Sequence, residues 1–242
     1  MKHPWFAILA ALILFLAGCA PALSSTPVPN SPKAIRFLAL GDSYTIGESA
    51  PESDRWPAQL ANLIKTSPHF ASQNGEIETG IIARTGWTTD ELWQAIQQSP
   101  PQGAYELVSL LIGVNDQYRG GDAERYRQDF RFLLGKAIGY AGGDPKRVIV
   151  LSIPDWGATP YARIDRRSAA QISAEINAFN AVNKDESQKA GVRYVDVTPI
   201  SRQAPADPAL LADDGLHPSG KMYAAWAALA LPEALAALGI SQ

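Results

Sequence analysis

The chain of 242 residues has one cysteine, two methionines and three histidines. A lone cysteine closes no disulfide within one copy, so this thiol has no structural staple to form. With no Cys/His cluster, no zinc site is expected, and neither is any other metal or organic cofactor. The net charge is −3 and no basic run stands out, so a nucleic-acid partner is not expected. Long apolar runs are scarce as well. The one at residues 5–16 falls short of the ~20 residues that a membrane-spanning helix needs. What is present, 46% hydrophobic and 19% charged residues, suffices for one sizeable core.

The first residues differ in kind from the rest. Lys2 and His3 precede the apolar run, which ends in Ala17-Gly18-Cys19. A basic start, a short apolar stretch and small residues describe a secretory signal peptide. Leu16-Ala17-Gly18-Cys19 also resembles the bacterial lipobox, in which the cysteine is lipidated and becomes the first mature residue. That resemblance implies a signal peptide at 1–18, and a lipidated Cys19 with a flexible linker rich in Pro, Ser and Ala over 19–33. The folded domain is then 34–242, held to a bacterial membrane through Cys19, in the cell envelope outside the cytoplasm. Two histidines, His69 and His217, are left after cleavage.

From residue 34 the chain alternates. Apolar, β-branched runs at 34–40, 77–83, 106–112, 147–153 and 192–197 predict strands. Helical spacing predicts helices over 54–65, 89–97, 122–140, 166–189 and 219–238. Strands alternating with helices indicate one α/β domain, a parallel sheet covered on both faces, and unbroken apolar runs such as Val148-Ile149-Val150-Leu151 fit strands buried on both sides.

In such sheets function gathers at the carboxyl ends of the strands. After the first strand come Gly41-Asp42-Ser43, after the second Arg84-Thr85-Gly86-Trp87, and after the third Gly113-Val114-Asn115-Asp116. The fourth is followed by Pro154-Asp155-Trp156-Gly157, and the fifth, past a loop, by Asp213-Asp214-Gly215-Leu216-His217-Pro218. A serine hydroxyl becomes a nucleophile when a base takes its proton and a third group holds that base. Histidine suits the role because it titrates near neutral pH. His69, in Ser67-Pro68-His69-Phe70, has no carboxylate beside it and reads as a surface residue in the turn after a helix. His217 has Asp213 and Asp214 behind it on a loop that Pro218 keeps from being helical, and Ser219 is a helix cap. Acyl transfer also needs oxyanion donors. The Ser43 and Gly86 N–H groups and the Asn115 side-chain amide can supply them. Asp42 and Asp116 are expected to hold loops by local hydrogen bonds, and Asp196 to serve a turn or a helix cap. Trp87, Tyr118, Trp156 and Tyr161 are candidates for lining a cleft.

Gly41-Asp42-Ser43, Gly86, Gly113-Val114-Asn115-Asp116 and Asp214-Gly215-Leu216-His217-Pro218 together resemble the four blocks of the SGNH (GDSL-like) hydrolase family, in its order. Tyr44 stands where the literal motif has leucine, and the Gly-x-Ser-x-Gly elbow of the α/β-hydrolases is absent. The resemblance implies a flavodoxin-like three-layer α/β/α sandwich with five parallel strands. It also implies a triad of Ser43, His217 and Asp214, with Asp213 facing solvent, and an oxyanion hole of Ser43, Gly86 and Asn115. The expected activity is hydrolysis of carboxylic esters by a monomer, on short- to medium-chain acyl, lysophospholipid or O-acetyl-glycan substrates. No long apolar insertion that could form a lid is seen. Two rivals use the same rim: a non-catalytic envelope lipoprotein that binds carbohydrate or peptide, and an acyltransferase.

Overall fold

The computed structural model describes Met1, residues 34–72 and residues 75–240, without the side chain of His69. Cys19, the expected signal peptide beyond Met1 and the expected linker up to residue 33 lie outside the described residues. The chain divides into Met1–Ser31 and Pro32–Gln242, and the second unit carries the fold.

The chain enters β1 (Ile35–Gly41) and turns at once into α1 (Ser43–Ile46), followed by α2 (Trp56–Lys65) and α3 (Pro68–Ala71). Next come β2 (Ile77–Ala83), α4 (Thr89–Gln98) and β3 (Leu107–Leu111). Then α5 (Val114–Tyr118), α6 (Ala123–Tyr140), β4 (Val148–Leu151) and α7 (Ala169–Ala190) follow. β5 (Arg193–Val195), α8 (Thr198–Ser201) and α9 (Gly220–Ala237) close the fold. The five strands are all parallel, in the order β2-β1-β3-β4-β5. α2 packs on α9 in one layer, and α6 packs on α4 and α7 in the other.

Each predicted strand and long helix is present, β2 with the predicted bounds and the others with ends shifted by at most three residues. The short helices α1, α3, α5 and α8 are additions, because four or five residues carry no helical period to read. His69 therefore sits within α3, where a simple turn was expected. Burial explains the unbroken apolar runs: Phe37, Leu38, Ala39 and Leu40 are all buried although successive side chains point to opposite faces. Trp56 of α2 meets Phe37 with ring centroids 6.3 Å apart, and Trp226 of α9 is likewise fully buried.

Register builds the site. Gly41 pairs with Ala83 on one side and Leu111 on the other. The turns leaving β1, β2 and β3 therefore start side by side. The chain also reverses direction across the sheet between β1 and β3, where open α/β sheets bind ligands.

Candidate active site

The turn after β1 is short because Asp42 caps α1. Its Oδ1 accepts the Tyr44 N–H at 3.0 Å, which sets Ser43 as the first residue of the helix. The first N–H groups of a helix have no acceptor within it, so the Ser43 amide has no partner inside α1. Ser43 is buried. Asp42 holds a loop by its hydrogen bond, and Asp116 does the same, accepting the Thr89 hydroxyl at 2.7 Å and the Thr89 N–H at 3.1 Å. Asp196 accepts the Thr198 N–H two residues on at 3.2 Å, the turn bond that is one of the two roles expected of it, while the cap position of α8 falls to Val197, which makes no side-chain cap bond.

The turn after β2 carries Gly86 at φ +86°, in the left-handed region that favours glycine. Its carbonyl accepts Nη2 of Arg119 at 2.7 Å, and Arg119 also pairs with Glu91 of α4. The Thr85 hydroxyl donates to Glu48. The turn after β3 begins at Gly113, φ +119°, where any Cβ would run into the Tyr126 hydroxyl. It presents Asn115, whose Nδ2 donates to the Trp87 carbonyl at 2.9 Å. That bond uses one of the two amide hydrogens and aims the other.

His217 arrives on a tight loop closed by a Leu211–Pro218 bridge and by the Ala212 N–H donating to the His217 carbonyl at 2.8 Å. Ser219 caps α9 by accepting the Met222 N–H. Asp214 curls back under the ring: its Oδ2 lies 2.7 Å from Nδ1 of His217, while its Oδ1 accepts the N–H groups of Leu216 and His217, both at 2.9 Å. Burial draws the Asp214 pKa upward, but the Ser49 hydroxyl, the imidazole and the two backbone donors outweigh it and hold the carboxyl at about 2. Asp213 is exposed. Tyr44 packs edge-on to His217 with centroids 5.8 Å apart, and Trp226 packs edge-on to Tyr44 at 6.2 Å. α9 thus props the imidazole through a tyrosine.

Ser43, Gly86, Asn115 and His217 line one cavity of about 150 Å³, with Tyr118, Trp156 and Tyr161 on its walls. Trp87 is not part of that lining; it packs partly buried against the core. Tyr118 and Tyr161 meet through their hydroxyls at 3.5 Å, and Trp156 is fixed behind them by donating Nε1–H to Gln117 at 2.8 Å. A larger hollow of about 600 Å³ lies beside Arg163, Arg167 and Pro208. It shares no residue with the smaller cavity and has no histidine on its walls, so the smaller one is the candidate site. Among the described residues no group of three His, Cys, Asp or Glu is arranged to hold a metal ion.

Three contacting residues escaped the reading from sequence. Glu48, Ser49 and Arg119 reach the site from positions where their residue types carry no motif, and Tyr44, noted there only as a departure from the literal motif, packs on His217. Only the Asp214 partnership of Ser49 or the Gly86 contact of Arg119, seen in three dimensions, picks them out.

A five-stranded parallel sandwich that collects these groups on its carboxyl rim has the SGNH hydrolase fold. The family profile for the GDSL-like Lipase/Acylhydrolase family matches residues 39–225, and the chain belongs to that family, whose members are carboxylic ester hydrolases. No curated protein sequence matches the chain. Among solved structures it is similar to Axe2, an acetylxylan esterase from Geobacillus stearothermophilus. The TM-score is 0.61 at 18% identity, covering 87% of this chain and 97% of that one. It is also similar to a member of the lipolytic protein G-D-S-L family from Veillonella parvula, with a TM-score of 0.60 at 17% identity, covering 82% and 97%. A third is the psychrotrophic esterase EstA from Pseudoalteromonas sp., with a TM-score of 0.57 at 15% identity, covering 82% and 95%. At these identities the likeness concerns the fold.

Proposed function

We propose that this protein is a serine esterase, lipid-anchored through Cys19 in the bacterial cell envelope, that removes short- to medium-chain acyl groups from alcohols. The observation that carries the reading is the 2.7 Å approach of His217 Nδ1 to Asp214 in the cleft that also takes in Ser43, Gly86 and Asn115.

In this mechanism Ser43 Oγ attacks the ester carbonyl while His217 Nε2 takes its proton. Asp214 keeps Nδ1–H in place and stabilises the imidazolium. The carbonyl oxygen gains its negative charge between the Ser43 and Gly86 N–H groups and the Asn115 amide, donors already set by the turns that hold them. Collapse of the tetrahedral intermediate returns the carbonyl and expels the alkoxide, which takes the proton from His217. Water then repeats the sequence against the acyl-enzyme and releases the acid and free Ser43.

A cavity of about 150 Å³ is small beside the ~300–1,000 Å³ of sites for drug-sized ligands, which favours a short acyl group. The tyrosine and tryptophan walls offer flat faces and hydroxyls to the alcohol side, as a sugar or a glycerol headgroup would use. The test is hydrolysis of p-nitrophenyl acetate, butyrate and palmitate by the full-length protein in detergent micelles, beside Ser43→Ala. The expected result is turnover that falls with acyl length and drops at least ~10³-fold in the variant. Palmitate as the sole substrate would overturn the short-acyl reading. Inert wild type with no fluorophosphonate on Ser43 would favour a binding lipoprotein, and faster product formation with an added sugar alcohol than with water alone would favour an acyltransferase.

A further inference from the structure

Ser49 is the sole non-glycine residue at positive φ among the described residues, at +62°. Side-chain-bearing residues avoid this region because Cβ crowds the backbone, and the conformation survives where surrounding contacts enforce it. Here the enforcing contacts are visible. The Gly47 and Glu48 N–H groups both donate to the Ser43 carbonyl at 3.0 Å, and the Ala50 N–H donates to the Gly47 carbonyl at 3.1 Å. The turn that follows the Ser43 helix is thereby folded back on it. The left-handed residue points its hydroxyl at a loop 165 residues away, where it donates to Asp214 Oδ2 at 2.7 Å. That is the same oxygen that faces His217 Nδ1. One residue earlier, Glu48 accepts the Thr85 hydroxyl next to Gly86.

We infer that Ser49 is a positioning residue: its hydroxyl, aimed by a strained backbone, fixes Asp214 Oδ2 against His217 Nδ1, so the turn behind the nucleophile also sets the acid. The inference rests on the esterase reading. Asp214 is 31% exposed on its side chain, and without Ser49 water competes for Oδ2 and the carboxylate can swing about its remaining backbone donors. The titratable groups packed near the pair include Tyr44 of α1 and Tyr223 of α9, both kept protonated by burial, with Arg55 against Gly47 and Glu48 beside Ser49 on the same turn, and Asp213 exposed on the loop of Asp214.

Ser49→Gly isolates the hydroxyl, because glycine accepts φ +62° without strain and the fold is expected to be at least as stable. On p-nitrophenyl acetate we expect kcat to fall roughly 10-fold with KM within about twofold and Tm not lowered. We also expect the acid limb of kcat/KM to move to higher pH by about half a unit, since the charge no longer shared with the hydroxyl stays on the oxygen facing Nδ1. In an Asp214→Asn background the same substitution should cost less than about twofold, as coupled groups are not additive. Unchanged kcat and pH limb in Ser49→Gly, or an equal loss in both backgrounds, overturns the inference while leaving an active esterase. A wild type that neither turns over esters nor labels with fluorophosphonate overturns the esterase reading, and this inference with it.

Discussion

The carboxyl of Asp42 has no exposure to solvent, and its Oδ2 has no hydrogen-bond partner. Burial, reinforced by the nearby Asp116, pushes its pKa to about 8 against the opposing Tyr44 N–H. In the unfolded chain the same group titrates near 4. Between about pH 4 and 8 the folded state therefore holds a proton that the unfolded state has lost, and this group's contribution to stability falls as pH rises through that window. Asp42→Asn keeps the neutral shape without the titration. The variant is expected to match the wild type near pH 4 and to gain on it progressively up to pH 8, read as urea midpoints at several pH values. Parallel midpoints across the range would show that Asp42 is ionised in the fold. Ser49 belongs to the same scale: a single backbone angle and a single hydroxyl decide how firmly the acid is held.

Among the elements, α6 and α7 are joined by a cluster at Glu186, whose side chain is 3% exposed. It accepts Arg131 Nε at 2.6 Å and Arg127 Nη1 at 2.7 Å. Arg131, chiefly, with Arg127 and Lys189, holds its pKa at about 2 against the penalty of burial. A depressed pKa gives stability that is present above about pH 4.5 and lost as pH falls toward 2. Glu186→Gln is expected to cost ~1–3 kcal/mol at pH 7 and to remove that part of the acid sensitivity. Equal losses at pH 7 and pH 3 in thermal melts would contradict the assignment. The same helix layer serves the cleft indirectly. Glu175 of α7 accepts Gln117 Nε2 at 2.6 Å, and Gln117 in turn holds Trp156 on the cleft wall.

For the whole molecule, the proposal adds a tether to a rim. If Cys19 carries the lipid, the full-length protein should partition into the detergent phase of a Triton X-114 separation, and Cys19→Ala should move to the aqueous phase. Its kcat/KM on a soluble ester should stay within about twofold, since Cys19 takes no part in the proposed chemistry. Aqueous partitioning of the wild type would end the lipoprotein reading. The fold needs no such tether to bury its core: Trp56, Trp226, Tyr223 and Phe130 are all buried within the described domain.

The sequence by itself determined the alternation of strands and helices, because strands covered on both faces must be apolar throughout and helices between layers must carry a stripe. It also placed Gly41-Asp42-Ser43, Gly86, Asn115 and the Asp214–His217 loop at strand ends, since turn residues and chemistry coincide there. The Asp214 contact to His217 was within reach of that reading because it spans three residues of one loop. Tertiary structure alone decided the strand order, the register that sets Gly41 between Ala83 and Leu111, and the partners of Ser49, Glu48 and Arg119. The physical reason is range. Periodicity and turn preference act over a few residues, whereas a hydroxyl at Ser49 meets Asp214 only after the intervening 165-residue separation has been folded shut.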